Sequence, residues 1–203
     1  EGINRKSESK YAKGLSELAE LLSLETAPER IEIYDISNTG GADTVGYLTV
    51  FVNGEPKKSE YRKFKIKYVE GQNDYECMYE VIYRRLMRYL SEQKELEETG
   101  EEREYKFINL PDVIFVDGGK NHVSVGKRAV ADAGLSIEVF GLVKDNAHRT
   151  KDVTSDTREY GCINKRAAFS LITRMQDETH NHAVKFHHET RTKSLIHSEL
   201  SDI

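Results

Sequence analysis

Four side chains stand where their chemistry would matter: Asp35, Asp74, Asp117 and His180. Asp35 lies inside Ile31-Glu32-Ile33-Tyr34-Asp35-Ile36-Ser37, a β-branched run in which a carboxylate is costly unless it is paired or bound to a metal. Asp117 ends the apolar run Asp112 to Val116 and directly precedes Gly118-Gly119. If the fold sets these two carboxylates side by side they repel each other unless a cation lies between them, so cation binding is the chemistry the pair would support. Asp74 falls one turn before Met78 on the core-facing side of a helix starting near Asn73, which makes it a third candidate oxygen ligand. Each position has a plainer reading. Asp74 suits a first-turn helix residue favouring the dipole, with Asn73 as cap. Asp117 suits a turn former before Gly-Gly, and Asp35 a strand-edge carboxylate. His180 lies beside Asp177 and Glu178, well off the centre of its helix's apolar stripe. An ordinary surface histidine fits there too, and His182, His187 and His188 follow closely.

The elements that must position these residues are legible from periodicity. Residues 10–23 place Tyr11, Leu15, Leu18, Leu21 and Leu22 at helical spacing, closed by Pro28, which predicts an amphipathic lead-in helix within residues 1–29. Strands are predicted at 31–37 and 44–52, with Asn53-Gly54 as a hairpin signal and 58–67 as the return strand. In that strand Phe64 and Ile66 share one face while Lys63, Lys65 and Lys67 share the other. Met78, Val81, Ile82, Leu86, Tyr89 and Leu90 then form the stripe of a helix. After an acidic connector at 91–109 comes a buried central strand at 112–116, a helix at 120–133 stopped by Gly134, and a strand at 137–143. Residues 144–163 are read as a loop or small hairpin, and a last helix runs from 164 to 187. This α/β order, a mixed five-stranded sheet with helices packed on both faces, resembles that of the ribonuclease H-like fold. In that fold the first and fourth strands are parallel neighbours, which would bring Asp35 to Asp117.

With 203 residues, 37% of them hydrophobic and 32% charged, the chain suits one domain of ordinary size. No apolar stretch is long enough to span a bilayer and no charged-then-apolar leader opens the chain, so membrane insertion and secretion are not expected. Cys77 and Cys162 are too few for a disulfide scaffold or a cysteine zinc site, which suits a reducing cytoplasm. The net charge of −5 hides a strong asymmetry: residues 91–104 alone carry −5, and residues 57–68 carry +5.

Several short motifs, taken together and in order, carry a closer resemblance. They are Tyr-Asp-Ile-Ser at 34–37, Lys-Ser-Glu-Tyr-Arg-Lys-Phe at 58–64, Asp-Tyr at 74–75 followed by Val-Ile-Tyr-Arg-Arg at 81–85, and Leu-Pro-Asp at 110–112. Val-Asp-Gly-Gly-Lys at 116–120, Asp-Glu-Thr-His at 177–180 and Ser-Glu-Leu at 198–200 complete the set. Over residues 30–203 the chain resembles the C-terminal nuclease half of UvrC, the incision subunit of bacterial nucleotide excision repair. Asn38 stands where that family commonly has His, and Asn73 where it commonly has Asp.

The resemblance implies a ribonuclease H-like endonuclease domain over 30–203. It would cut damaged double-stranded DNA on the 5′ side of a lesion, in the bacterial cytoplasm, using Mg²⁺ or Mn²⁺. Asp35, Asp74 and Asp117 would be catalytic aspartates and His180 the catalytic histidine, all four as metal ligands, with His180 alternatively serving as general acid or base. UvrB would be met through regions outside this segment and UvrA only indirectly. The resemblance also places the segment after the family's first nuclease and UvrB-binding regions and before its helix-hairpin-helix motifs. Lys120 opens a helix whose N-terminal amides suit a phosphate. Arg62, Lys63, Lys65, Lys67, Lys144, Arg191 and Lys193 are candidate contacts to the DNA backbone, with a solvated basic strand as the plainer reading. A catalytically inactive nucleic-acid-binding module of the same fold, or a nuclease acting on RNA–DNA hybrids or junctions, is the alternative.

Overall fold

In a computed structural model the protein is described over residues 10–38 and 43–201, with side chains through Phe186. Helix α1 (Ala12–Leu21) precedes β1 (Arg30–Asn38), β2 (Thr44–Val52), β3 (Glu55–Pro56) and β4 (Arg62–Lys65). There follow α2 (Asp74–Thr99), β5 (Val113–Asp117), α3 (Lys120–Asp132), β6 (Glu138–Lys144), β7 (Thr150–Thr154) and α4 (Arg166–Ser201). The strands form one mixed sheet in the order β3-β2-β1-β5-β6-β7, with β4 pairing the same edge of β2 as β3. β1 and β5 are parallel neighbours, as expected, and β5 and β6 are parallel too. Each parallel crossover is made by a helix, α2 into β5 and α3 into β6.

The alternation of side chains along β1 and β5 divides the core in two. Ile31, Ile33, Val113 and Phe115 face α1 and α4, where they pack with Leu15, Leu18, Leu171, Ile172 and Met175. Tyr34, Ile114 and Val116 face α2 and α3, where they meet Met78, Val81, Ile82, Leu86, Val123 and Ala129. The lead-in helix therefore belongs to the core. It is fastened to the hairpin at Asn53-Gly54 by Arg174, whose guanidinium lies 3.6 Å from the Tyr11 ring centre and donates to the Gly54 carbonyl.

Three expectations need correcting. The sheet has seven strands, because the short β3 pairs with β2 ahead of the expected return strand, whose first residues Lys58–Glu60 form a 3-10 turn and leave only β4, and because β7 folds back on β6. The acidic segment is no connector over its first half: α2 continues through it to Thr99 and stops at Gly100, in the left-handed region at φ 61° with its N–H on the Leu96 carbonyl. Glu and Lys are good helix formers, and propensity sustains the helix after its apolar stripe has ended. Glu92 also anchors the return of the chain, accepting from the backbone N–H groups of Lys106 and Phe107 at 3.1 and 2.7 Å. The last helix runs well past 187, to Ser201.

Candidate active site

The register of β1 and β5 pairs Tyr34 with Val116. Asp35 and Asp117 are the next residue on each strand, and alternation points both toward α4. Their side chains share a hydrogen bond. Lys144 donates to Asp117 Oδ2 at 3.0 Å and Gln176, from α4, donates to Asp117 Oδ1 at 3.0 Å. Gln176 is itself held, accepting from the Thr150 hydroxyl at 2.6 Å and donating to the Leu142 carbonyl at 3.3 Å. Burial, the Asp117 charge and the hydrogen bond to Asp117 together push the Asp35 carboxyl up to about 7, against the opposing pull of Lys144 and the Ile36 amide. One ammonium against two carboxylates leaves the pair short of positive charge.

A second group lies on the opposite face, at the same end of the sheet. Asp74 is exposed at the start of α2, where Asn73 caps the helix by accepting from the Glu76 amide at 3.2 Å. Asp74 Oδ1 accepts from Asn38, the last residue of β1, at 2.8 Å, and Asn38 accepts in turn from Thr44 at 2.8 Å. His122, in the first turn of α3, faces the charges of both Asp74 and Asp117, yet burial outweighs them and lowers its pKa. Its ring lies against Gly118, where any Cβ would come within 2.4 Å of Nδ1, so only glycine lets the imidazole approach the backbone beside Asp117. Its other neighbour is the Tyr75 ring, 4.6 Å between centres. Asn38, Gln72, Asn73, Asp74, Tyr75 and His122 line a cleft of about 330 Å³.

The structure thus joins Asp35 to Asp117 and sets Asp74 at the same edge through Asn38 and His122. His180 stands apart. It is exposed on α4 one turn beyond Gln176, and its side chain makes no hydrogen bond, ion pair or ring contact among the described residues. The neighbouring His182 packs among the rings of Tyr47, Tyr61 and Phe186. Among the described residues, no three of His, Cys, Asp and Glu come close enough to form a complete ligand cluster.

The candidate phosphate contacts divide between the two faces. Pairings across β1, β2 and β4 put Asp35, Tyr47 and Lys63 in one row, with Lys65 two residues further along β4. Lys63 lies over the Phe186 ring and Lys65 pairs with Asp43 at 3.0 Å. Arg62 points the other way, bonding the Ser59 and Tyr61 carbonyls, and Lys67 borders a groove on the α2 side. Lys120 is exposed at the α3 N-terminus, and Lys144 is occupied by Asp117. The side chains of Arg191 and Lys193 lie outside the described residues.

Gln176 and His122 were not singled out by sequence reasoning. Gln176 carries a weak signal, an amide beside Met175 at the buried face of a helix. His122 carries one only in combination with Gly118, four residues earlier, which has room for an imidazole above it.

Residues 19–184 match the family described as the UvrC RNase H endonuclease domain. This chain belongs to that family. The UvrABC system protein C of Thermoanaerobacter pseudethanolicus is 48% identical over 203 residues, covering 99% of this chain and 32% of the relative. That of Ruminiclostridium cellulolyticum is 44% identical over 193 residues, covering 95% and 31%. The chain therefore spans about a third of the length of these relatives. Among solved structures, a DNA complex of Ciona intestinalis endonuclease V aligns with 58% of this chain and 46% of its own at 13% identity and a TM-score of 0.38, too distant a likeness to bear on the site. The fold is ribonuclease H-like, and as a UvrC endonuclease domain the chain is a nuclease domain. No helix among the described residues is long and apolar enough to cross a membrane.

Proposed function

We propose that this chain is the metal-dependent nuclease domain that makes the 5′ incision in damaged double-stranded DNA during bacterial nucleotide excision repair. The observation that carries the reading is the Asp35–Asp117 pair, two adjoining carboxylates opposed by a single ammonium at the C-terminal ends of parallel strands. The donor set fits a hard divalent cation such as Mg²⁺ or Mn²⁺, which favours carboxylate oxygens and offsets the repulsion between them. Asp35 and Asp117 would hold it, and Asp74 and His180, which lie apart from the pair in this structure, would have to approach from α2 and α4 to serve as further ligands. When bound, such a cation sets positive charge against the scissile phosphate and makes water more acidic.

The chain's own groups do the rest. Gln176 and Lys144 fix the rotamer of Asp117 through one oxygen each. Lys120 and the first amides of α3 attract a phosphate beside Gly118-Gly119, and Lys63, in the row of Asp35, extends that attraction across the sheet. As an alternative to ligating the cation, His180, exposed and unattached among the described residues, would meet the leaving oxygen or the attacking water as acid or base. Residues 30–203 form the nuclease unit in this reading, with 1–29 as its lead-in. UvrB and, indirectly, UvrA bring the lesion through regions outside this segment, all within the bacterial cytoplasm.

The test is nicking of a lesion-bearing duplex with Mn²⁺, alongside calorimetric titration of Mn²⁺ into wild type and Asp35→Asn. Metal-dependent nicks 5′ of the lesion, together with Mn²⁺ binding that Asp35→Asn removes, are expected. Equal nicking by the two proteins would refute the assignment.

A further inference from the structure

Behind the edge strand β4, on the α2 face, a groove of about 540 Å³ runs between the outer side of α2 and residues 67–69. Tyr68 on its rim is 79% exposed and Met87 on its floor 40%. Tyr79 and Tyr83 stack along α2 with centres 5.6 Å apart and planes 9° from parallel. Both acidic residues of the lining are committed inside the protein. Glu80 accepts from the backbone amides of Lys67 and Tyr68 at 2.9 and 2.7 Å and from Arg84 at 3.0 Å, and Glu76 pairs with Arg128. Lys67 and Arg88 remain as exposed cations without a carboxylate partner among the described residues.

We propose that this groove binds single-stranded DNA, with bases stacked on Tyr68 and Tyr83 and phosphates against Lys67 and Arg88. The exposed Tyr68 ring and the half-buried Tyr83 ring, flanked by Lys67 and by Arg88, whose guanidinium lies 5.3 Å from the Phe107 ring centre and meets no carboxylate among the described residues, are what a single strand requires, since every base offers a π face and every nucleotide a charge. A duplex keeps its bases stacked inward and has nothing to offer Tyr68. An apolar helix would leave Lys67 and Arg88 facing hydrocarbon. Charge also sets the length of the track. It starts at Glu76, two residues from Asp74, and ends at Ser91, where Glu92, Glu95, Glu97 and Glu98 follow and repel phosphate. That is roughly 22 Å of helix, room for a few nucleotides. The inference rests on the reading that DNA is the substrate: a strand leaving the site past Asp74 would enter this groove.

The experiment is fluorescence anisotropy of a labelled eight-nucleotide oligothymidine with the 203-residue chain in EDTA. Tyr68→Ala, which leaves the backbone bonds to Glu80 intact, should weaken binding about tenfold. Lys67→Gln and Arg88→Gln should each lower the salt slope by about 0.7, and 5-bromodeoxyuridine oligonucleotides should cross-link to Tyr68. No measurable binding by wild type, or Tyr68→Ala within twofold of it, would overturn the proposal and leave the groove to a protein segment. The two readings fail separately. Oligonucleotide binding through Tyr68 without nicking overturns the proposed activity alone, and nicking without a Tyr68 effect on binding overturns the groove alone.

Discussion

Glu32 and Asp35 lie three residues apart on β1 and face opposite sides of the sheet, and their surroundings treat the two carboxylates in opposite ways. Burial raises the pKa of Glu32, but the charge and hydrogen bonds of Arg85, the charge of Arg30 and the bond from Tyr34 outweigh it and hold the carboxyl below its ordinary value. Its oxygens accept from Arg85 Nε and Nη2 at 2.9 Å each, from Arg30 at 3.1 Å and from Tyr34 at 2.6 Å. Asp35 has burial and a second carboxylate against it, and the charge of Lys144 and the Ile36 amide do not offset them. A carboxylate that the protein has fully answered is a structural part. One that the protein leaves short of positive charge, at a strand end beside another carboxylate, is poised for something from outside.

The strongest way to break this contrast is to remove the answer to Glu32. Arg85→Ala leaves a buried charge without its main partner, and strips donors from the Phe107 and Asn109 carbonyls that lead into β5. The expected loss is about 3–5 kcal/mol in urea unfolding. Glu32→Gln combined with Arg85→Met should recover most of it, because no uncompensated charge is then buried. A loss below about 1 kcal/mol for Arg85→Ala would mean that water reaches Glu32 and that the two carboxylates differ less than the geometry implies.

At Asp35 the effect should fall on activity and spare the fold. Asp35→Asn keeps the shape but removes a charged ligand, and should lower Mn²⁺-supported nicking by more than roughly a hundredfold, since even outer-shell changes at metal sites cost 10–100-fold. In EDTA the same variant should melt at or above the wild-type temperature, because the repulsion from Asp117 is relieved. A variant that melts lower than wild type in EDTA would place Asp35 with Glu32, among the structural carboxylates.

The halves of this contrast were unequally legible in the sequence. Asp35 and Asp117 stood out because each interrupts or ends an apolar run, and the resemblance to the ribonuclease H-like fold implied their adjacency. Glu32 escaped notice although it lies in the same run, because its partner Arg85 is 53 positions away on α2 and only the packed fold brings them together. Gln176 and His122 were hidden for the same reason: a neutral side chain gains meaning from its neighbour, and theirs come from other elements. The first half of the acidic segment was misread because its residues lack an apolar stripe, the signal used to find helices, while their propensity and the stop at Gly100 pointed to one. The even-handed treatment of the basic residues failed differently. Arg62 and Lys63 are adjacent in sequence, and alternation sends them to opposite faces.

Acid should expose the Glu32 side of the comparison. Its folded pKa lies below the ordinary 4.5, so its contribution is complete above that value and is lost as pH falls through the lower folded one. Wild type should therefore lose stability below pH 4.5 more steeply than the Glu32→Gln/Arg85→Met variant, by up to about 1.4 kcal/mol per pH unit over that window. Parallel curves from urea titrations at pH 3–5 would show that Glu32 is not the group whose protonation matters.

The smallest expected effect separates the two faces as seen by DNA. Lys63 lies in the row of Asp35 and Tyr47, its ammonium 4.8 Å from the Phe186 ring centre with no carboxylate partner among the described residues, whereas Lys65 is already paired with Asp43. A duplex crossing the Asp35 edge should release one counterion on meeting Lys63. At Lys65 it would first have to displace Asp43, so less is released. Lys63→Gln should thus lower the slope of log affinity against log salt by about 0.9, and Lys65→Gln by clearly less. Arg62→Gln should leave the slope unchanged, since its guanidinium is turned to the opposite face and bonded to the Ser59 and Tyr61 carbonyls. The measurement is duplex binding in EDTA across a salt series. If Arg62→Gln flattened the slope and Lys63→Gln did not, the duplex would lie on the α2 face, and the Asp35–Asp117 pair would be turned away from its substrate.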